Sequence, residues 1–410
     1  MNQMSRRKML KSAAAPLILS RRAAGANDRI RVGVIGAGNR SGLLIDQLPE
    51  GAEIVSIADC YLKKAEDLAA KRQAKWRIHQ DYRRLLDDKE IDGVIIGATD
   101  HARALLCIHA CQAGKDIYAE KPLTLYVAEG RAIVKAADRY KRIFQVGSQQ
   151  RSMAMNQIAC AFVRNGGLGK IHFVQGCNYP SAKIWAPQQP QPAPDGMNWD
   201  LWLGQSVDRQ YHDQLYKGWM GWRDYSGGEM TNWGAHGLDQ IQSALGMDGT
   251  GPVEFYPIQD SAPGAVGFRY ANGVPVRLEL PMGDLNGGAV FVGERGRMEI
   301  VRNGFRIDPP ALMKQIQLPP KEEVEKWDRA LWQARFHMQD WLESMRTRKA
   351  PLAGPEIGHR SVSVSHLANI ARALDRQLRW NPQTETFTGD SEANALLTRQ
   401  RRKGFELPTA

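Results

Sequence analysis

Cysteine is scarce in this 410-residue chain. There are five (Cys60, Cys107, Cys111, Cys160 and Cys177), an odd number with no CxxC pair. That excludes a disulfide framework and the common zinc signatures. Cys107 and Cys111, one helical turn apart, read as packing residues. Long apolar runs are missing too. No stretch approaches the roughly 20 residues that a membrane-spanning helix needs, so no membrane insertion is expected. The nine histidines are scattered, without HExxH or paired-ligand spacing, and no metal site is expected.

Acidic residues are absent from the first 26 positions, which hold six basic ones (Arg6, Arg7, Lys8, Lys11, Arg21 and Arg22). The chain as a whole carries +11. Without this leader, 49 basic residues face 44 acidic ones, a balance of +5 that is mild for this size. No basic stripe interleaved with aromatics follows, so nucleic acid is not an expected partner. Ser5-Arg6-Arg7-Lys8-Met9-Leu10-Lys11 resembles a twin-arginine export signal. A short apolar stretch from Ala13 to Leu19 follows, then small residues at Ala24-Gly25-Ala26. Arg21-Arg22 between them is unusual for such a signal. The expectation is an exported or periplasmic protein, and a cytoplasmic one if the leader is not used. Twin-arginine export carries folded proteins, which suits a chain that folds around a cofactor.

With 43% hydrophobic and 24% charged residues, the remainder is ordinary globular sequence. It is too long for one core, so two domains are expected: 27–148 and 149–380, with a surface tail over 381–410.

Arg31-Val32-Gly33-Val34-Ile35 reads as a short buried strand. The turn Gly36-Ala37-Gly38-Asn39-Arg40-Ser41-Gly42 follows, then a helix beginning near Leu43. The first glycine makes the tight turn, and the second lets a pyrophosphate approach helix N-terminal amides. Ser41 stands at the third position, where a glycine is usual. A second strand, Glu53–Ala58, ends at Asp59, about 20 residues past the turn, where a carboxylate can accept from ribose hydroxyls. The same charge would repel a 2′-phosphate and so favours NAD over NADP.

The alternation continues with helices over Leu62–Lys71 and Asp81–Asp87. A strand at Gly93–Gly97 leads into Ala98-Thr99-Asp100-His101 and a helix over Ala102–Ala113. A strand at Asp116–Ala119, a helix over Ala128–Tyr140 and a strand at Ile143–Val146 complete the set. Repeated βα units predict a doubly wound parallel α/β sheet, with ligands beyond the carboxyl ends of its strands. The expected dinucleotide contacts are Gly36, Gly38, Asn39, Arg40, Asp59, Thr99, Asp100, His101, Glu120, Lys121 and Gln149.

Glu120-Lys121-Pro122-Leu123 resembles the signature of the Gfo/Idh/MocA oxidoreductase family. So does Gly227-Gly228-Glu229-Met230-Thr231-Asn232-Trp233-Gly234-Ala235-His236-Gly237-Leu238-Asp239, which is similar to that family's catalytic helix. Gln145–Arg151, Asn198–Gly204 and Glu356–Arg360 extend the resemblance over nearly all of the chain after residue 27. It implies a Rossmann domain followed by an α+β domain whose large, mostly antiparallel sheet serves oligomerisation. It also implies a Lys121-Pro122 bond that is often cis.

Past residue 150 the pattern changes. A helix over Met153–Asn165 precedes a strand at Ile171–Gln175. A Pro- and Gln-rich loop over 180–200 follows and is long enough to act as a flap. Strands are expected at Val253–Pro257, Ala265–Tyr270, Val274–Leu280, Ala289–Val292 and Met298–Val301, with Asn272-Gly273 as a hairpin turn. Helices are expected over Arg329–Arg346 and Arg360–Leu378.

The resemblance implies hydride transfer between nicotinamide and a sugar, sugar derivative or glycoside. Lys121 would hold the reacting oxygen, and His236 would be the proton acceptor. Asn232 stands where the family usually has aspartate. At i, i+4 spacing it is expected to share a helix face with His236, fix its tautomer and leave it less basic, with more of the proton transfer on Lys121. Arg151, Tyr179, Trp185, Trp222 and Arg223 are the expected sugar contacts. Free NAD is scarce outside the cytoplasm, so an exported enzyme would keep its cofactor tightly bound. That leaves open a redox-neutral, NAD-dependent glycoside hydrolase that works by oxidation and elimination. A non-catalytic dinucleotide-binding sensor is the alternative of another class.

Overall fold

The computed structural model describes residues 29–285, 287–329 and 332–408. The export-signal reading of residues 1–26 lies outside them. Two sheets organise these residues. The first contains β1 (Ile30–Ile35), β2 (Ala52–Ala58), β3 (Arg77–His79), β4 (Gly93–Ile96), β5 (Asp116–Ala119) and β6 (Phe144–Val146). All are parallel, in the order β3-β2-β1-β4-β5-β6. The order reverses between β1 and β4, and a crevice opens there beyond the strand ends. The sequence pattern missed β3, a three-residue strand too short to show alternation.

The helix after β1 runs Asn39–Asp46, four residues earlier than expected. Its first turn is polar because it borders the crevice, so apolar periodicity begins only at Leu43 and Leu44. Ser41 is fully buried there. A Cβ on Gly97, at the end of β4, would meet Ser41 Oγ at 2.2 Å. The glycine that permits close helix–strand packing has moved across the contact, from the helix to the strand.

The second sheet is mixed. It contains β7 (Ile171–Cys177), β8 (Glu254–Pro257), β9 (Val266–Arg269), β10 (Pro275–Leu280), β11 (Ala289–Gly293), β12 (Gly296–Val301), β13 (Gly304–Asp308), β14 (Leu378–Asn381) and β15 (Thr386–Phe387). The order is β13-β12-β11-β7-β10-β9-β8-β14-β15, and only β7 and β10 pair in parallel. Gly273, at φ +87°, closes the β9–β10 hairpin as the Asn-Gly pair required. One face packs on the helices Ala154–Arg164, Gly234–Leu245 and Pro355–Leu374. On the other face, Arg277 pairs with Glu279, and Arg297 and Arg306 pair with Glu299.

The C-terminal helices differ from expectation. The helix expected over Arg329–Arg346 begins six residues later, as Arg335–Thr347, and a separate helix that the sequence did not mark, Lys321–Asp328, precedes it. The helix Arg335–Thr347 returns to the first sheet, where Met338, Trp341 and Leu342 pack with Val32, Ile57 and Tyr118. The last long helix is Pro355–Leu374. Proline at its first position suits a helix start, and Asp375 ends it in the left-handed region. The tail is more than a surface wrap. Its Phe387 is buried on β15, Arg399 and Arg401 reach the fully buried Glu129 in the helix Val127–Tyr140, and Arg402 reaches Asp200.

Candidate active site

A cavity of about 590 Å³ lies over the crevice, bordered by Gly36, Gly38, Asn39, Arg40, Asp59 and Thr99. Gly36 has φ +93°, and a Cβ there would meet the Ala98 backbone at 3.0 Å, so this turn needs glycine. A Cβ on Gly38 would meet only open space. No side chain caps the helix that starts at Asn39, and its first turn carries no acid. Its N-terminal amides are therefore available to an anion. Asp59 Oδ2 accepts from Ala37 N at 2.6 Å, and Oδ1 accepts from Tyr61 N at 2.8 Å. The carboxylate thus shapes the glycine turn and still has lone pairs on the cavity side. The size, the open glycine cradle and this carboxylate fit a dinucleotide.

Lys121 follows β5, and its bond to Pro122 is cis. Its ammonium donates to Asn232 Oδ1 at 2.8 Å and to the Asn232 carbonyl at 3.1 Å. Burial pushes the Lys121 pKa down to about 8, against Glu120 and Asp100, which pull it up. Glu120 is itself buried. Its Oε1 accepts from Arg40 at 2.8 Å and from Gln149 at 3.3 Å, and its Oε2 accepts from Lys121 N at 3.2 Å. Arg40 and Gln149 are thereby joined to Glu120. Asp100 is buried away from the cavity, in a 3.2 Å pair with Arg103, and accepts from Ser226 at 3.1 Å. Arg103 also donates to the carbonyls of Pro122 and Ala98. Asp100 therefore positions the Lys121 turn.

The segment resembling a catalytic helix comprises Glu229–Asn232 and Gly234–Leu245, with Trp233 between them still in right-handed helical conformation. The expected hydrogen bond from Asn232 to His236 is replaced by bonds to other partners. The Asn232 oxygens hold Lys121, and its Nδ2 donates to Glu229 Oε2 at 3.0 Å. His236 is 7% exposed, with the Trp233 ring edge-on at 6.0 Å. Burial holds its pKa well below the usual range, and the cations Lys121, Arg302 and Arg40 push it further down. The expectation of a less basic His236 agrees with that direction, but the cause is burial and cations.

His101 is not a cofactor contact. It is fully buried, its Nε2 lies 2.7 Å from the Trp202 carbonyl, and its ring packs against Trp202 and Tyr225. The five expected sugar contacts also have other roles. Arg151 is committed to Asp239 and Asp248, each at 2.8 Å. Tyr179 is 3% exposed and sits in the main core beside Gly234. Trp185 packs edge-on against Trp222 at 4.7 Å, and Trp222 Nε1 donates to the Gln214 carbonyl. Arg223 is exposed and ties its backbone to Lys183.

Sequence reasoning missed the group beside His236. Trp233 meets Trp332 edge-on at 5.8 Å, and the Arg302 guanidinium lies 4.5 Å from the Trp332 ring centre. Arg302 comes from the β12–β13 turn and Trp332 from the linker before the helix Arg335–Thr347, so no local motif marks either. The cavity's outer wall of Trp202, Tyr216, Trp219 and Met220 was missed as well. Its only sequence signal was the aromatic density near Trp219–Trp222.

Two family models match the chain. Residues 30–148 match the oxidoreductase-family NAD-binding Rossmann fold, and residues 175–407 match that family's C-terminal alpha/beta domain. The chain belongs to the Gfo/Idh/MocA oxidoreductase family. Inositol 2-dehydrogenase of Salmonella typhimurium is 25% identical over 166 residues, 40% of this chain and 49% of the relative. The inositol 2-dehydrogenase/D-chiro-inositol 3-dehydrogenase of Lacticaseibacillus casei is 31% identical over 30% of this chain and 36% of the relative. The chain thus spans at most about half the length of these curated relatives. Among solved structures, the WlbA dehydrogenase from Bordetella pertussis, in complex with NADH and UDP-GlcNAcA, superposes with a TM-score of 0.64. The match is at 18% identity and covers 87% of this chain and 99% of that one. Levoglucosan dehydrogenase, in complex with NADH and levoglucosan, gives 0.59 at 17% identity over 86% and 99%. At these identities the likeness is one of fold.

Proposed function

We propose that the protein is an NAD-dependent oxidoreductase acting on a sugar, sugar derivative or glycoside, with Lys121 as the principal proton-transfer group. The single observation that carries this is the Lys121 ammonium, held on both Asn232 oxygens beyond β5 with its pKa brought down to about 8. Bound nicotinamide supplies an acceptor for a carbon-bound hydride. Lys121 Nζ, when neutral, takes the proton from the substrate hydroxyl, and as the ammonium it returns one in the reverse direction. His236, neutral at pH 7, acts as a hydrogen-bonding partner of the same hydroxyl and as the secondary proton acceptor. Arg302 and Trp332 offer a cationic and an aromatic surface beside it for a polyol ring. The inositol and levoglucosan dehydrogenases among the similar proteins support a ring-shaped polyol substrate. Asp59 on the cavity wall favours NAD over NADP.

The test is NADH formation across a panel of sugars, inositols and glycosides. Lys121→Ala is expected to lower kcat by about 10²- to 10⁴-fold. A variant with wild-type turnover overturns the assignment, and a purified protein that binds NAD without turning over any of the panel favours the sensor reading. The aromatic side chains lining the cavity, Trp202, Tyr216 and Trp219, favour a second reading, the redox-neutral glycoside hydrolase with tightly held NAD. Release of sugar from a glycoside with no net NADH would separate it from a simple dehydrogenase.

Two further parts of the reading are independent of the chemistry. Export rests on Ser5–Lys11, and a reporter fused to residues 1–26 should lose export when Arg6 and Arg7 both become lysine. Assembly into a homo-oligomer through the open face of the second sheet rests on that face's ladder of paired charges, and light scattering at low and high salt tests it.

A further inference from the structure

We propose that residues 196–222, carried by the second domain, form a strap over the adenosine half of the dinucleotide site and slow the dinucleotide's departure. This rests on the NAD-binding reading above.

The cavity runs from the glycine turn past Asp59 to Tyr82, Ala102 and Leu106, away from Lys121. In a parallel sheet of this order, the pyrophosphate lies at the turn and the ribose at the carboxylate after β2. The space beyond Asp59 is then where the adenine belongs. Its inner wall is aliphatic, from Ala98, Ala102 and Leu106, and its outer wall is Trp202, Tyr216, Trp219 and Met220 of the strap. Aliphatic groups on one side with aromatic rings and a thioether on the other suit a flat heterocycle. Lys64 places its ammonium 4.7 Å from the Tyr216 ring centre, which steadies that ring where strap and Rossmann domain meet.

The strap is latched to the Rossmann domain near its start and again at Trp202. Asn198 N donates to the Cys60 carbonyl at 2.8 Å, Gln80 Nε2 donates to the Gly196 carbonyl at 2.8 Å, and Met197 bridges to Tyr61. At Trp202, its carbonyl meets His101 Nε2, and Gln205 returns a bond to the His101 carbonyl at 2.9 Å. Within the strap, Trp199 stacks on Trp202 at 4.4 Å, and Trp202, Leu203, Leu215 and Tyr225 form a small core with Trp185. The strap is thus packed on a small core that it shares with Trp185 and Tyr225, and opening of the latches speeds the departure of a ligand beneath it.

The test is binding, with full-length protein stripped of nucleotide. Dissociation rates of NAD, ADP-ribose and nicotinamide mononucleotide are measured by stopped-flow for the wild type, Tyr216→Ala/Trp219→Ala and Tyr216→Phe. The double variant is expected to release NAD and ADP-ribose at least tenfold faster, with mononucleotide unaffected and Tyr216→Phe like the wild type. Limited proteolysis of the wild type gives an arm without mutation. Cleavage within 196–222 should be suppressed by ADP-ribose and not by the mononucleotide. Unchanged NAD and ADP-ribose release in a folded double variant, or no protection by ADP-ribose, overturns the strap while leaving NAD binding intact. A wild type that binds none of the three ligands overturns the cofactor reading itself, and the strap with it.

Discussion

Asn232 accepts the Lys121 ammonium at both its side-chain oxygen (2.8 Å) and its backbone carbonyl (3.1 Å). The remaining polar atom of that side chain, Nδ2, faces Glu229. The residue is thus an uncharged spacer between a cation and a carboxylate, and this explains why asparagine can stand here.

Asn232→Asp should therefore move two groups. A carboxylate 2.8 Å from Nζ stabilises the charged lysine, so the Lys121 pKa should rise by about one unit or more. The new carboxylate would also face Glu229 Oε2 across 3.0 Å without a proton donor. Pairing the change with Glu229→Gln should relieve that repulsion and recover stability while keeping the raised pKa. The pH–rate profiles and melting curves of the single and double variants check this, and an unchanged profile would sink it.

The wild-type profile follows from the sign of the shift. Lys121 accepts a proton only when neutral, and burial has brought its pKa to about 8. Oxidation should rise with pH through about 8 and then level off. The reverse reduction, which needs the ammonium, should decline over the same interval. kcat/KM in both directions between pH 6 and 10 measures it.

Gly97→Ala should destabilise the Rossmann domain by about 1–3 kcal/mol, because the added methyl meets Ser41 Oγ at 2.2 Å. Adding Ser41→Gly removes that atom and should restore most of the loss. Chemical denaturation of the two variants gives the comparison. No recovery in the double variant would mean that the contact is not what limits the site.

Glu385→Ala should cost about 2 kcal/mol, since it strips charged hydrogen bonds from Arg131 and the buried His359. Burial alone would raise the Glu385 pKa, but the bonds from His359 and Arg131 outweigh it and hold the carboxyl well below its ordinary 4.5. The stability it contributes is therefore complete above that value, declines as the pH falls below it and vanishes only once the pH has passed the much lower pKa of the folded carboxyl. Thermal melts should separate wild type from variant at pH 7 and, by a smaller margin, still at pH 3, because the folded carboxyl stays ionised there.

Local signals carried the first domain far. The strand Asp116–Ala119 and the helix Leu62–Lys71 were legible to the residue, because period and flanking turns agree there. Glu120-Lys121-Pro122 and the glycine turn mark themselves in the same way. The substrate side did not show. Arg151 and Trp222 are residue types that bind sugars, and nothing local says that the first is neutralised by two aspartates and the second is tied to the Gln214 carbonyl. Arg302 and Trp332 meet only through the fold, across a linker with no periodicity of its own. His101 had the right address beyond β4, but its ring turned inward to a backbone carbonyl more than a hundred residues away.

The arginines near the C-terminus give the molecule a timetable. Arg399 and Arg401 hold Glu129, and Arg402 holds Asp200, so the final stretch of chain clasps both the first domain and the strap. Domains generally fold in order as they leave the ribosome. Here the Rossmann sheet can form early, yet the arginines that lock it to its neighbour are made only after the whole second sheet. A protein truncated by even a dozen residues would keep every group named in the chemistry and lack the clasp that brings them into register.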